Sequence, residues 1–169
     1  ELVKNRSFEF SLPLMGWRQV RQDGNGRVLP TFYSPYRPSN PHFITLAIEA
    51  ESGYFGLVNE GFRGMGIKKD LRYDFSVMAR AGSGNIRVMK IELLGQNNEI
   101  IGTARLSGFS GEWKKYSVSF NALKTEPKAT MRILFSGRGS VDIDMVSLFP
   151  SDTWKGRPGG LRSDIVQMI

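Results

Sequence analysis

The chain has 169 residues, 40% of them hydrophobic and 23% charged, which is typical of a globular protein with one sizeable core. It has no cysteine, so disulfides, thiolate metal sites and a thiol nucleophile are excluded. The net charge of +7 comes from scattered basic residues rather than from a run or a helical stripe, so we expect no nucleic-acid partner. No apolar run is long enough to predict a membrane span.

The first third of the chain alternates between short apolar stretches and turn residues. Residues 1–10 predict a short edge strand with a turn at Asn5. A tight turn is expected at 22–26, where glycine and asparagine tolerate positive φ. The proline-rich segment 35–41 predicts a surface loop, because proline cannot donate to a central strand. A strand with alternating apolar residues follows at 43–50.

The clearest strand pattern lies at 73–79, where Tyr73, Phe75 and Val77 share one face. A turn at 82–85 is predicted to lead into a strand at 86–94. Further alternation predicts three more strands, which contain Tyr116, Val118 and Phe120; Met131, Ile133 and Phe135; and Val141, Ile143 and Met145. With about eight to ten strands and no helix between them, the sequence predicts an all-β antiparallel sandwich of the jelly-roll class.

The last strand, at 140–150, contains an unusual carboxylate. Asp144 shares its predicted face with the apolar Val146 and Leu148, and a carboxylate there needs a cation or backbone amides as partners. Pro150 is expected to end the strand. Beyond it, an amphipathic helix is predicted by apolar residues at helical spacing, with Ser163 or Asp164 near its start, and these apolar residues are Leu161, Ile165, Val166 and Ile169.

Several segments resemble known protein families. Jelly-roll carbohydrate-binding modules of the family four and nine type are similar at residues 2–9 (LVKNRSFE), 111–116 (GEWKKY) and 143–148 (IDMVSL). The α-L-arabinofuranosidases of glycoside hydrolase family fifty-one are similar at 38–42 (PSNPH), 53–62 (GYFGLVNEGF) and 147–162 (SLFPSDTWKGRPGGLR). The last of these segments is the most specific.

The resemblance implies an N-terminal module that precedes a (β/α)8 catalytic barrel in a retaining glycoside hydrolase. Residues 1–150 would form the carbohydrate-binding-like sandwich, and residues 151–169 a linker and the truncated first helix of that barrel. The family's catalytic glutamates lie in the barrel and match no position here, so we expect a non-catalytic domain. The family also implies a secreted or periplasmic protein that acts with polysaccharides containing arabinose.

In modules of this type, a glutamate of the opening motif and an aspartate of the closing strand commonly hold a structural calcium ion. The resemblance therefore implies Glu9 and Asp144 as calcium ligands, completed by backbone carbonyls. The alternative is that Asp144 accepts backbone N–H groups or pairs with Lys4 or Arg6, while Glu9 is solvated.

Sugar-binding jelly rolls stack sugar rings on exposed aromatic side chains, and the candidates here are Trp17, Tyr33, Tyr36, His42 and Trp113. Tyr33 and Tyr36 are favoured by their polar, proline-rich neighbours, whereas Trp17 and Trp113 are better explained as core residues, the more common place for large aromatics. Two functions stay open. The domain either binds arabinan, arabinoxylan or a similar glycan, or is purely structural and packs against the barrel. The sequence favours the structural role, and an independent hydrolase comes third.

Overall fold

The computed structural model describes residues 1–31, 39–49 and 51–168. This part of the chain contains nine strands: β1 (Trp17–Gln22), β2 (Gly26–Thr31), β3 (Phe43–Ile48), β4 (Tyr54–Asn59), β5 (Met65–Ile67), β6 (Arg72–Leu94), β7 (Ile100–Leu106), β8 (Lys114–Asn121) and β9 (Glu126–Pro150). A 3-10 turn at Trp154–Gly156 and a helix, α1 (Ser163–Val166), follow β9. Neither has the length and apolar character that crossing a membrane requires.

Strands β6 and β9 organise the fold, because each is long enough to belong to two sheets. The first half of β6 and the second half of β9 pair with each other and with β8 and β3, which gives a front sheet in the order β2-β3-β9-β6-β8. Their other halves pair with β7 and β4, which gives a rear sheet in the order β1-β4-β9-β6-β7. Every named strand pair is antiparallel, so the predicted all-β sandwich is confirmed.

The predicted turn at residues 82–85 is wrong, because β6 runs through it as a bent strand. Gly84 has φ +70°, and the pairing with β9 shifts register between Ala81 and Gly84. On β9, Gly137 has φ +104°, and a Cβ there would lie 2.3 Å from the carbonyl oxygen of Asn85. The glycines therefore bend two paired strands from one sheet into the other rather than reversing the chain.

The core lies between the two sheets and follows the predicted alternation. Tyr73, Phe75 and Val77 are buried on the inner face of β6, as are Ile44 and Leu46 on β3. Asp144 departs from this pattern, because β9 carries one extra residue where it passes β6. Met145 has φ +52° at this bulge, which turns Val146 into the core while Asp144 stays on the outer face.

The predicted edge strand at residues 1–10 is wrong, although the turn at Asn5 is confirmed. Asn5 and Phe8 have φ +53° and +57°, which an extended strand cannot contain. The Asn5 amide donates to the carbonyl oxygens of Pro13 (2.8 Å) and Met15 (3.1 Å), so a side chain holds this segment in place of a ladder.

Strand β9 ends at Pro150, as expected, and the chain continues into the short helix α1. Leu161 is exposed, whereas Ile169 lies outside the described residues. Residues 39–41 of the predicted proline-rich loop contain no strand, and residues 35–38 are likewise outside the description. The assignment of 151–169 to a linker and a barrel helix stays a prediction.

Candidate functional site

A row of polar side chains crosses the outer face of the front sheet. Thr45, Asp142 and Arg80 lie in register on β3, β9 and β6. Asp142 accepts a hydrogen bond from the Thr45 hydroxyl (2.6 Å) and two from the Arg80 guanidinium, through Nε (2.9 Å) and Nη2 (2.6 Å). The Arg80 and Asp142 side chains are 30% and 14% exposed, so this pair is partly shielded from water.

Two aromatic rings cover this row. The Arg80 guanidinium carbon lies 4.9 Å from the ring centroid of Trp113 and 5.6 Å from that of Phe43. The two rings meet edge to face, with centroids 5.4 Å apart. Trp113 is only half-buried, so aromatic surface lies beside groups that can bond hydroxyls. We call Phe43, Thr45, Arg80, Trp113 and Asp142 the front-face cluster.

The two predicted calcium ligands lie beside this cluster, at either side of residues 40–42. Glu9 accepts the backbone N–H of His42 (2.8 Å), and its other oxygen pairs with the His42 ring. Asp144 accepts the backbone N–H of Met145 (2.7 Å) and the Asn40 amide (2.9 Å).

This arrangement bears on how a calcium ion could bind. Both carboxylates already accept hydrogen bonds from the protein, and for Asp144 this agrees with the alternative that it accepts a backbone N–H. The described residues contain no group of three or more His, Cys, Asp and Glu side chains suited to a metal. Calcium would therefore compete with Asn40 and His42 for the carboxylate oxygens of Glu9 and Asp144. The calcium site stays a prediction.

The structure separates the predicted sugar-binding residues. Trp17 is 7% exposed, packs on Phe8 with ring centroids 5.5 Å apart, and donates its indole N–H to the Asn5 carbonyl (3.0 Å). It occupies the core, which corrects its proposed use as a sugar platform. His42 is partly exposed but engaged by Glu9, and Tyr33 and Tyr36 lie outside the described residues.

Within the front-face cluster, only Trp113 is a candidate that the sequence pattern predicts. The sequence pattern could also have indicated Arg80, because the alternation of β6 places it on the face opposite Tyr73 and Phe75. Its pairing with Asp142 could not be foreseen, because that contact joins residues 62 positions apart.

The outer face of the rear sheet carries a buried charged group. The Glu92 side chain is 2% exposed and lies between Lys90, at 3.1 Å, and Arg132. The Lys90 ammonium also lies 4.0 Å from the Tyr54 ring centroid and 3.3 Å from the Gln22 side-chain oxygen. These partners enclose the Glu92 side chain and leave little room for another ligand.

The pKa values of two further groups, Tyr73 and Glu126, are shifted by their surroundings. Burial raises the pKa of Tyr73, whose hydroxyl oxygen accepts the Lys68 backbone N–H at 2.8 Å. The pKa of Glu126 is lowered, chiefly by the backbone N–H of Lys128 (3.2 Å) and further by the backbone and side-chain amides of Gln96. Both lie away from the front-face cluster and stabilise connections between strands.

Comparison with curated proteins finds similarity to α-L-arabinofuranosidases. No family model matches the chain. An extracellular exo-α-L-arabinofuranosidase of Streptomyces chartreusis is 32% identical over 177 residues, which cover all of this chain and 20% of the relative. The chain resembles the N-terminal domain of family fifty-one α-L-arabinofuranosidases. α-L-Arabinofuranosidase 1 of Arabidopsis thaliana is 30% identical over 182 residues, again across the whole chain and 26% of the relative.

Solved structures agree on the fold. An arabinose-bound family fifty-one α-L-arabinofuranosidase superposes with a TM-score of 0.82 at 22% identity, covering 99% of this chain and 29% of the enzyme. The N-terminal cellulose-binding domain of a Cellulomonas fimi β-1,4-glucanase gives a TM-score of 0.56 at 16% identity, covering 89% of this chain and 97% of that domain. The jelly-roll class is therefore confirmed. The chain spans about a fifth to a quarter of the curated relatives it matches.

Proposed function

We propose that this chain is a non-catalytic accessory domain of an α-L-arabinofuranosidase and supports a catalytic barrel in the same polypeptide. The observation that carries the proposal is the whole-chain similarity to arabinofuranosidases of which it covers only 20% to 26%. Most of each relative therefore lies outside the matched part. The extracellular relative supports the further proposal that the protein is secreted.

The state of the carboxylates supports a non-catalytic role. Glycoside hydrolysis commonly uses two carboxyl groups across an open site, about 5–9.5 Å apart, one of which must hold a proton. Glu92 is buried between two cations, and Asp142 is bound by Arg80. Both carboxylates are engaged by cations and shielded from an open site, so neither is placed to act on a substrate.

One end of the sandwich supports packing against a barrel. The connections 68–71 and 122–125 meet there, where Asp70 donates its backbone N–H to the Ala122 carbonyl (2.8 Å). Asp152 and Arg162 line a small cavity together with residues of the 68–71 connection, so the segment after β9 reaches the same end. Leu123, Trp154 and Leu161 are exposed. Exposed apolar residues near one end suit an interdomain contact.

The test compares three proteins: this chain, the catalytic part alone, and the two in one polypeptide. We expect no hydrolysis of an aryl α-L-arabinofuranoside by this chain, and a lower melting temperature for the catalytic part alone than for the joined protein. In the joined protein, Leu123→Asp should lower the melting temperature. The matched control Leu29→Asp, at another exposed leucine, should not. Turnover by this chain, or equal melting of the catalytic part alone and joined, would refute the proposal.

The front-face cluster favours a second candidate function, weak saccharide binding. A half-buried tryptophan beside an Arg–Asp pair and a hydroxyl is the mixture of apolar surface and fixed polar groups that small-ligand sites use. Calorimetric titration with arabinan and arabinoxylan oligosaccharides tests it, with millimolar to micromolar affinity expected. Trp113→Ala should abolish the heat, and Tyr36→Ala tests the loop residue favoured by the sequence. A folded protein that gives no heat with any oligosaccharide would leave only the supporting role.

A further inference from the structure

A shallow depression adjoins the front-face cluster on the same sheet. It has a volume of about 150 Å³ and is lined by Arg6, Ser76, Val77, Met78, Lys115 and Met145. Met78 and Lys115 are paired on β6 and β8. Met78 lies two residues from Arg80, and Lys115 lies two residues from Trp113. A ligand that lies on the front-face cluster could therefore extend into the depression without leaving the sheet.

Arg6 brings an unsatisfied donor to this depression. Its Nε is buried and has no hydrogen-bond partner among the described residues. The nearest carboxylate oxygen, Glu1 Oε2, is 3.5 Å away and already accepts the Ser147 hydroxyl at 2.8 Å. The other Glu1 oxygen accepts the backbone N–H groups of Val3 (2.9 Å) and Leu148 (3.0 Å). The Arg6 side chain is 37% exposed and its ion pair with Glu1 is long, so a ligand carboxylate that gave it a shorter charge-assisted hydrogen bond would be favoured.

The other lining residues define the chemistry of that ligand. Lys115 adds a second cation, Ser76 a hydroxyl, and no described carboxylate lines the depression. Met78 and Met145 offer adaptable apolar contact. The lining therefore suits a group that combines a carboxylate, hydroxyls and C–H surface, in a space about the size of one sugar ring.

We propose that the depression binds the carboxylate of a uronic acid residue, so that the front face selects acidic polysaccharide chains over neutral ones. This rests on the proposed saccharide binding by the front-face cluster, which would hold a neighbouring sugar. Arg6 and Lys115 pair with the carboxylate, and the methionines contact the ring. The net charge of +7 adds a longer-range attraction to an acidic polymer.

The experiment is calorimetric titration of this 169-residue chain with three oligosaccharides: oligogalacturonate, its methyl ester, and arabinan oligosaccharide. The ester keeps the sugar and removes the charge. We expect oligogalacturonate to bind at least about tenfold more tightly than the ester, with an advantage that shrinks as salt rises. Lys115→Met should remove the preference. Lys114→Met, with the same charge change at the neighbouring position, should keep it.

The outcomes separate this inference from the function on which it rests. Equal binding of acid and ester, or equal effects of Lys114→Met and Lys115→Met, overturns the uronate site while leaving saccharide binding intact. No binding of any oligosaccharide refutes both. Competition by sodium acetate as strong as that by galacturonate would show a general anion site and also overturn the inference. Arg6→Met provides an independent readout: without ligand it should change the melting temperature little, because the pair with Glu1 is long and exposed, and with oligogalacturonate it should weaken binding.

Discussion

Arg80 is the residue on which the front-face cluster depends, and its removal gives a quantitative test. Arg80→Ala deletes two charge-assisted hydrogen bonds to Asp142 and the contacts with Trp113 and Phe43. Such hydrogen bonds contribute about 1.5–3 kcal/mol each when buried, and cation–π contacts about 0.5–2 kcal/mol. Because Arg80 is 30% exposed, we discount the sum and expect a loss of about 2–4 kcal/mol in the free energy of unfolding.

The assay is urea denaturation followed by tryptophan fluorescence and circular dichroism. Arg72→Ala is the matched control on the same strand, because Arg72 pairs with Asp74 at 3.2 Å but the two side chains are 59% and 43% exposed. That pair should contribute no more than about 1 kcal/mol. Arg80→Lys should recover part of the loss, since lysine keeps the charge but not the paired hydrogen bonds. If Arg80→Ala costs no more than Arg72→Ala, the cluster does not stabilise the fold in the way described.

Three other predictions concern the fold and its ions. Gly137→Ala should destabilise the domain by about 2 kcal/mol or more in urea denaturation, because its Cβ would meet the Asn85 carbonyl and its φ is positive. A cost below about 0.5 kcal/mol would show that the backbone at this bend can shift to accept a side chain. Glu126 has a pKa below the ordinary value of 4.5, so its stabilising contribution should be complete above pH 4.5 and be lost as the pH falls through the lower folded-state value. Glu126→Gln should therefore reduce the loss of unfolding free energy at acid pH. An unchanged acid loss in the variant would contradict the role given to Glu126. If calcium binds at Glu9 and Asp144, adding it after chelation should raise the melting temperature, and Asp144→Asn should remove the rise; no shift with calcium at millimolar concentration argues against the site.

The sequence predicted those parts of the fold that depend on local alternation. The inner faces of β3, β6 and β8 repeat every second residue, so the period alone places Tyr73, Phe75 and Val77 in the core. The turn at 82–85 was wrong because glycine-rich segments serve both reversals and bends, and the partner strand decides between them. Gly84 lies opposite Gly139, far along the chain, and local sequence carries no information about that pairing.

The candidate site was less accessible than the fold. The face assigned to Asp144 was wrong because an inserted residue at Met145 shifts the alternation, and neither residue type announces a bulge. In the sequence, Arg80 and Asp142 resemble ordinary solvent-exposed charges, because only the pairing of β6 with β9 brings them into contact. The sequence could only propose aromatic residues by type, whereas the position of each one relative to the core decides whether it can contact a ligand.

The position of β9 in both sheets has a consequence for folding during translation. β9 lies in the middle of the front and the rear sheet and is also the last of the nine strands in the described part of the chain. While the protein emerges from the ribosome, the pairs β1–β4 and β2–β3 therefore have no strand joining them to β6 until residues 126–150 are exposed. Folding dominated by such distant pairings is slow, and it leaves apolar faces uncovered in the meantime. A truncation that removes β9 would thus leave two incomplete sheets, whereas one that removes only α1 would leave both sheets whole.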